Sequence, residues 1–140
     1  MPQLIDRLCE LMNRHDAAFA AELFHPDYRS EQPLHPGRAF VGRAQVRANW
    51  TAMFQGIPDL RVELLRLRED DDGWVWTEWR WTGTRTDREP FAMAGVVLFQ
   101  IRDDLIVAAR LYMEEVDRSG ADVTEAVEAL SGRHPEAPAS

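Results

Sequence analysis

The sequence predicts a single α+β domain in which helices come first and a sheet follows. Apolar residues recur at helical spacing in the first part of the chain, and they alternate with polar residues, as in strands, between residues 60 and 115. The chain has 140 residues, of which 45% are hydrophobic and 29% are charged. This is the length of one domain and the composition of a globular protein with a sizeable core.

Three N-terminal helices are predicted. The first, about Pro2 to Asn13, has leucines at helical spacing and a proline in its first turn, where a missing N–H costs nothing. Asp16 is expected to cap a second helix that runs to Phe24, and the run His25-Pro26-Asp27 then stops it, because proline cannot continue a helix. After an irregular stretch, a third helix is expected over residues 42–56.

Four strands are predicted to follow as a meander. In the first, the apolar pattern changes phase between Leu64 and Leu65, which indicates a β-bulge that bends the strand, because side chains alternate strictly between faces. Acidic and glycine-containing turns separate the strands. The predicted strands are residues 60–67, Trp74 to Thr84, Phe91 to Arg102 and Leu105 to Glu115.

The strand that begins at Trp74 predicts which sheet face meets the helices. Its odd-numbered side chains, which include Trp79 and Trp81, are mostly apolar, whereas its even-numbered set includes Glu78 and Arg80. We expect the odd set to face the helices and to make the space between the layers apolar. The next strand is apolar on both faces, and helices can cover only one of them. The open face is therefore predicted to bind a second subunit in a homodimer.

Composition argues against several classes of function. The 24 acidic and 16 basic residues give a net charge of −8, which disfavours binding to the phosphate backbone of nucleic acids. Cys9 is the only cysteine, and the four histidines have no ligand spacing, so we expect neither a disulfide nor a metal site. No segment is typical of a signal region or a membrane span, and we expect a cytoplasmic protein.

Five segments, taken in order and spacing, form a recognisable pattern over about residues 3 to 116. They are Leu23 to Tyr28, Gly42, Pro58 to Leu60, Trp81 to Thr84, and Gly95 to Glu114. Together they resemble the SnoaL-like polyketide cyclases of the NTF2-like superfamily. The resemblance implies an NTF2-like cone, with three N-terminal helices packed in a strongly curved mixed or antiparallel sheet. It also implies a conical cavity, a dimer, a small apolar ligand, and no metal or organic cofactor.

The resemblance places the domain at residues 1–117. Residues 118–140 then form a C-terminal tail, in which a short helix over Val123 to Leu130 precedes a disordered end.

The catalytic residues of the known enzymes in this superfamily are replaced in this sequence. Ketosteroid isomerases use a tyrosine and two carboxyl groups, and the matching positions here are Leu8, Gln32 and Val97. SnoaL-type aldol cyclases and limonene-epoxide hydrolases use an aspartate on the last strand, where this sequence has Leu111. The hydrolases add an arginine and a second aspartate, at positions that match Trp79 and Trp81. A one-residue shift of the alignment would bring Glu78, Arg80 and Glu114 to these positions instead.

Polar residues after the second helix supply the candidate catalytic groups. Gln32 or Tyr28 would hold a substrate oxygen, while Glu31 or His35 would move the proton. The run His25-Pro26-Asp27 is interpreted instead as structural. The predicted pocket lining is Leu8, Trp50, Met53, Trp79, Trp81, Val97, Phe99, Leu111 and Met113.

Two functions stay open from the sequence. In one, a cofactor-free protein binds a polycyclic or terpenoid-like molecule in its cone and isomerises, cyclises or hydrates it. In the other, the protein is a non-catalytic ligand carrier or a dimeric interaction module whose cone is filled by its own tryptophans. Both are physically reasonable, because large aromatic side chains can either fill a cavity or stack on a flat ligand.

Overall fold

A computed structural model describes residues 2–136 of the chain as four helices and a six-stranded sheet. The helices are α1 (Pro2–Asn13), α2 (Ala17–Glu22), α3 (Arg43–Gly56) and α4 (Val123–Ser131), with a short 3-10 turn at Pro36–Arg38. The strands are β1 (Phe24–Glu31), β2 (Phe40–Val41), β3 (Arg61–Glu69), β4 (Trp74–Thr84), β5 (Pro90–Arg102) and β6 (Leu105–Glu115). The predicted α+β class is confirmed.

The sheet is mixed and has the strand order β2-β1-β6-β5-β4-β3. Strands β3 to β6 form the predicted antiparallel meander, and β1 pairs with β6 in parallel. Within residues 2–136, no helix combines the length and the apolar character needed to cross a membrane.

The segment after α2 differs from the sequence-based expectation. The second helix is predicted to run to Phe24, but it ends at Glu22. The His-Pro-Asp run lies within a strand, β1, which extends from Phe24 to Glu31. Proline lacks the N–H that a strand residue donates to its neighbour. Pro26 is tolerated because it lies where the pairing register of β1 with β6 shifts, between Phe24 and Arg29. Strands β1 and β2 therefore separate α2 from α3.

Two side chains at helix ends form hydrogen bonds with the backbone. The carboxylate of Asp16 accepts a hydrogen bond from the backbone N–H of Phe19 at 3.1 Å, which confirms the predicted cap of α2. At the end of α1, the side-chain amide of Asn13 pairs with the backbone of Val62: it donates to the carbonyl at 3.0 Å and accepts from the N–H at 2.8 Å. The Asn13 side chain thus joins α1 to β3 through a donor and an acceptor, the same pair of hydrogen bonds that the backbone of an adjacent strand would form.

The meander of β3 to β6 contains two register shifts and one close approach between strands. The register of β3 with β4 shifts between Leu64 and Arg66, which confirms the predicted bulge, and that of β5 with β6 shifts between Gln100 and Ile101. Gly95 adopts a φ of +153°, and a Cβ at this position would collide with the carbonyl oxygen of Tyr112. Only glycine lets the two strands approach this closely.

The orientation of β4 follows its predicted alternation. Val75, Thr77, Trp79 and Trp81 are all buried. The side chain of Arg80, between the two indoles, is exposed. Val75, Trp79 and Trp81 belong to the core cluster that β4 shares with α1 and α3.

We predict that Gly95→Ala lowers the free energy of unfolding by at least about 2 kcal/mol, because the added Cβ meets backbone atoms of Tyr112 and Met113 and the φ angle is strained. Urea denaturation at a fixed protein concentration measures the change. Gly37→Ala is the matched control: its Cβ would meet no atom within 4 Å. The control should change stability by less than about 0.5 kcal/mol. Equal stability of the two variants would contradict the packing role of Gly95.

Candidate functional site

A cavity of about 500 Å³ lies between the helices and the inner face of the sheet. Helices α1 and α3 supply Leu8, Trp50 and Met53 to its wall, and β4 supplies Trp79 and Trp81. The rings of Trp50 and Trp81 meet edge to face, with centroids 5.2 Å apart. The tryptophans form part of the wall, and the cavity lies beside them.

Eight of the nine residues predicted to line the pocket lie on the cavity wall. The exception is Met113, which lies on the inner side of β6 but is enclosed within the core cluster. Met113 is 3% exposed and lies opposite Gly95 of β5 in the sheet register. Its prediction as a lining residue is therefore corrected.

The alternation of β1 separates the four candidate catalytic residues. Tyr28 and Ser30 are buried, whereas the intervening Arg29 and the following Glu31 are exposed. Tyr28, Ser30 and Gln32 line the cavity, and Glu31 does not. Because successive side chains of a strand point to opposite faces, Glu31 cannot reach the same space as Gln32 without a bulge.

His35 also lies outside the cavity wall. Its Nε2 is 2.6 Å from Oε1 of Glu114 on β6, and both side chains are partly exposed to solvent, at 38% and 49%. This contact attaches the segment after β1 to the end of β6. The structure thus brings Tyr28 and Gln32 together at the cavity and places Glu31 and His35 elsewhere.

The alternative alignment, shifted by one residue, does not fit the direction of β4. Glu78 lies on the outer face of the sheet, where its carboxylate is 3.4 Å from the guanidinium of Arg66 on β3. Trp79 and Trp81 face the cavity instead. The carboxylates that the shift would bring into a catalytic position are on the opposite side of the sheet.

The run His25-Pro26-Asp27 has a structural role in the first half of β1. Nδ1 of His25 accepts a hydrogen bond from the backbone N–H of Asp27 at 2.9 Å. Neither residue lines the cavity.

Tyr28 is the titratable side chain of the wall. Burial raises its pKa to about 12 because the phenolate would be poorly solvated, although a hydrogen bond with Ser30 opposes this shift. At neutral pH the phenol therefore keeps its proton and can donate it in a hydrogen bond. Among the lining residues that the structure describes, none is an Asp, Glu, His, Lys or Arg.

The two indoles of β4 differ in how their N–H groups are satisfied. Nε1 of Trp79 donates to Oγ1 of Thr77 at 2.7 Å, and the Thr77 hydroxyl donates in turn to the carbonyl of Val97 at 2.7 Å. Nε1 of Trp81 is buried and finds no hydrogen-bond partner within residues 2–136. An unpaired buried donor is costly, on the order of 1–3 kcal/mol, and is unusual in a folded protein.

Two further amides lie on the wall, and each has its oxygen engaged. Oε1 of Gln32 accepts from Nη1 of Arg38 at 3.0 Å, and Oδ1 of Asn49 accepts from the side-chain amide of Gln45 at 2.6 Å. Sequence reasoning missed Ser30, Asn49 and the partner of Gln32. The alternation of β1 would have identified Ser30 had the segment been recognised as a strand. No signal in the sequence links Arg38 to Gln32.

In the part of the chain that the structure covers, no group of three or more His, Cys, Asp or Glu side chains is arranged to hold a metal ion. The wall therefore offers hydrogen bonds and apolar surface. It can orient a neutral molecule and polarise an oxygen atom on it.

Several solved structures share this fold. A candidate isomerase from Bacillus subtilis is 19% identical with a TM-score of 0.71, and the alignment covers 80% of this chain and 84% of that protein. SalBIII, an epoxide hydrolase/cyclase-like enzyme with a role in pyran ring formation in the polyether salinomycin, is 17% identical with a TM-score of 0.71, over 81% and 89%. A candidate SnoaL-like polyketide cyclase from Jannaschia sp. CCS1 is 20% identical with a TM-score of 0.64, over 81% and 86%.

At these identities the solved structures establish the shared fold. An NTF2-like protein of unknown function from Cytophaga hutchinsonii also has it, with 10% identity and a TM-score of 0.60 over 79% of this chain and 87% of that one. The predicted NTF2-like fold is thereby confirmed. No curated protein sequence matches this chain at a significant level.

The sequence itself identifies the family. A family model described as a SnoaL-like domain matches residues 5–109, from the first helix to the last strand of the sheet. Because this match spans well over half of the chain, the protein belongs to the SnoaL-like domain family.

Proposed function

We propose that this protein binds a neutral, largely apolar molecule of polycyclic or terpenoid size in its conical cavity, and that it isomerises, cyclises or hydrates this molecule without a cofactor. The observation that carries the proposal is the cavity of about 500 Å³ with an aromatic and aliphatic wall. Sites for organic ligands have roughly this size, about 300–1,000 Å³, and this mixture of apolar surface with a few polar groups. The fold that the chain shares with SalBIII is consistent with ring chemistry.

The chemistry would depend on positioning and on hydrogen-bond donation. Tyr28 and Gln32 would hold an oxygen of the substrate, because both lie on the wall and both carry hydrogens at neutral pH. Holding reacting atoms in a productive geometry can by itself lower a barrier substantially. A ring closure or isomerisation that proceeds within one bound molecule fits such a site. A reaction that needs a carboxylate base does not.

A non-catalytic carrier is the second candidate function. It is favoured by the absence of Asp, Glu and His from the described lining residues, since the pKa of Tyr28, at about 12, leaves no side chain of the wall suited to accept a proton at neutral pH. Binding would then occur without turnover.

Besides a small ligand, the protein is proposed to bind a second copy of itself through the outer face of the sheet. Val96 and Tyr112 form a half-buried cross-strand pair there, flanked by Leu98. Across the sheet, Arg80 of β4 lies opposite Ala94 of β5, and Ala94 lies opposite Glu114 of β6. If two copies pack through this face around a two-fold axis, Arg80 of one copy can lie against Glu114 of the other. Such reciprocal contacts are what an isologous interface requires.

Titration with fused-ring hydrocarbons and ketones should quench tryptophan fluorescence, because a ligand in the cavity would lie beside Trp50, Trp79 and Trp81. Trp50→Phe should reduce the amplitude of quenching. Trp76→Phe is the matched control and should leave the quenching intact, since Trp76 is exposed on the outer face. The absence of both tryptophan quenching and a thermal shift across a broad panel of compounds would refute the proposed ligand cavity.

Enzyme and carrier differ in turnover of the compounds that bind. If the protein is an enzyme, Tyr28→Phe and Gln32→Leu should each reduce kcat/KM at least about tenfold, or about 1.4 kcal/mol in the barrier. Glu31→Gln should leave turnover within about twofold, because the Glu31 side chain is exposed and does not line the cavity. Binding without any turnover would support the carrier instead.

The proposed dimer should be visible by sedimentation velocity at micromolar concentration. Val96→Glu should convert it to a monomer, because the new carboxylates would be buried without partners in the interface. Phe19→Glu is the control: Phe19 is an exposed apolar side chain of α2, on the helical side of the domain, and its replacement should leave the dimer intact. A monomeric parent protein would disprove the interface.

A further inference from the structure

Two side chains of the cavity wall, Gln32 and Trp81, carry N–H groups that have no partner among the hydrogen bonds of the described residues. We propose that Arg38 is a positioning residue that fixes the Gln32 amide as a donor, and that Gln32 and Trp81 together select a neutral ligand with an acceptor oxygen, such as a ketone or quinone. This inference rests on the proposed ligand cavity and specifies what the cavity recognises.

The first step concerns the orientation of Gln32. A guanidinium group can only donate hydrogen bonds, so the atom of Gln32 that lies 3.0 Å from Nη1 of Arg38 must be the amide oxygen. The chemistry of arginine therefore determines which end of the amide is used. The NH₂ end is left for a ligand, since Gln32 lies on the cavity wall.

The position of Arg38 follows from the local chain path. The 3-10 turn Pro36–Arg38 begins four residues after Gln32, and it brings Nη1 of Arg38 within 3.0 Å of the Gln32 amide oxygen. The turn is attached to the sheet by the contact between His35 and Glu114. Arg38 itself does not line the cavity, so it acts on a ligand only through Gln32.

The second donor is the indole of Trp81. Trp81 lines the cavity, is 7% exposed, and has an N–H without a partner among the described residues. The neighbouring Trp79 has the same group, and Thr77 satisfies it. This contrast shows that the fold can pair a buried indole on this face. The unpaired N–H of Trp81 is explained if a ligand oxygen is its partner.

The two amide oxygens of the wall already accept hydrogen bonds from neighbouring side chains. The amide oxygens of Gln32 and Asn49 accept from Arg38 and Gln45, respectively. Tyr28 keeps its proton at neutral pH, and its hydroxyl is hydrogen-bonded with that of Ser30. No carboxylate lies among the described lining residues, so a cationic ligand would be buried without a counter-charge. The free amide and indole donors, together with the apolar wall, match a hydrophobic molecule that carries a carbonyl group.

The test compares 9-fluorenone with fluorene, two probes that share a ring skeleton and differ in one carbonyl oxygen. Isothermal titration calorimetry with the full chain gives both dissociation constants. We expect fluorenone to bind at least about tenfold more tightly than fluorene. Gln32→Leu and Trp81→Phe should each lower this ratio toward one, without weakening the binding of fluorene. Gln32→Glu, which keeps the size of the side chain but replaces its donor with an acceptor, should lower it as well.

The role of Arg38 needs its own comparison. Arg38→Met should lower the fluorenone-to-fluorene ratio, and Arg38→Lys should restore it, because an ammonium group also donates to the amide oxygen. Arg47→Met is the control and should leave the ratio unchanged, because Arg47 is an exposed arginine on a different element, α3.

Equal affinity for the two probes would overturn this inference and leave the proposed ligand cavity standing. Binding of neither probe would overturn this inference, whereas the proposed ligand cavity is overturned only if the broad panel of compounds also fails to bind. A preference for fluorenone that survives Gln32→Leu and Trp81→Phe would show that other groups recognise the oxygen, and would also overturn the assignment.

Discussion

The strict alternation of side chains along β4 is the constraint on which the cavity depends. Burial of Val75 and Thr77 commits every odd position of the strand to the helical side, so that Trp79 and Trp81 face inward and Arg80 faces outward. A charged side chain of β4 could reach the cavity only through a bulge. The bulge that does occur lies in the partner strand β3, at Leu64 and Arg66, and it bends the sheet without reversing β4.

The same constraint decides which polar groups need internal partners. The inward direction of β4 buries the hydroxyl of Thr77 and two indole N–H groups. A short chain of hydrogen bonds from Trp79 through Thr77 to the backbone of Val97 satisfies two of the three donors. Trp81 is left over, at the cavity wall. The chemical character of the site, with an apolar wall and unpaired donors, therefore follows from strand geometry.

Alternation also divides the polar residues of β1. Tyr28 and Ser30 face the cavity, and Glu31 faces solvent. The sequence could not assign these faces, because Pro26 and the polar composition of the segment conceal a strand whose partner, β6, lies far along the chain. The partners of His35 and Gln32 were hidden for a related reason. The contact of His35 with Glu114 joins residues 79 positions apart, and that of Gln32 with Arg38 depends on the 3-10 turn between them.

The sequence by itself determined the elements whose cause is local: α1 from its apolar spacing, the cap at Asp16, the bulge near Leu65, and the inward face of β4. Each of these depends on residues within a few positions of one another, where hydrogen bonding and side-chain periodicity act directly. Only the tertiary structure decided the parallel pairing of β1, the exclusion of Met113 from the wall, and the unpaired N–H of Trp81. Those features depend on which distant surfaces meet, and the close approach permitted at Gly95 is one of the contacts that sets this meeting.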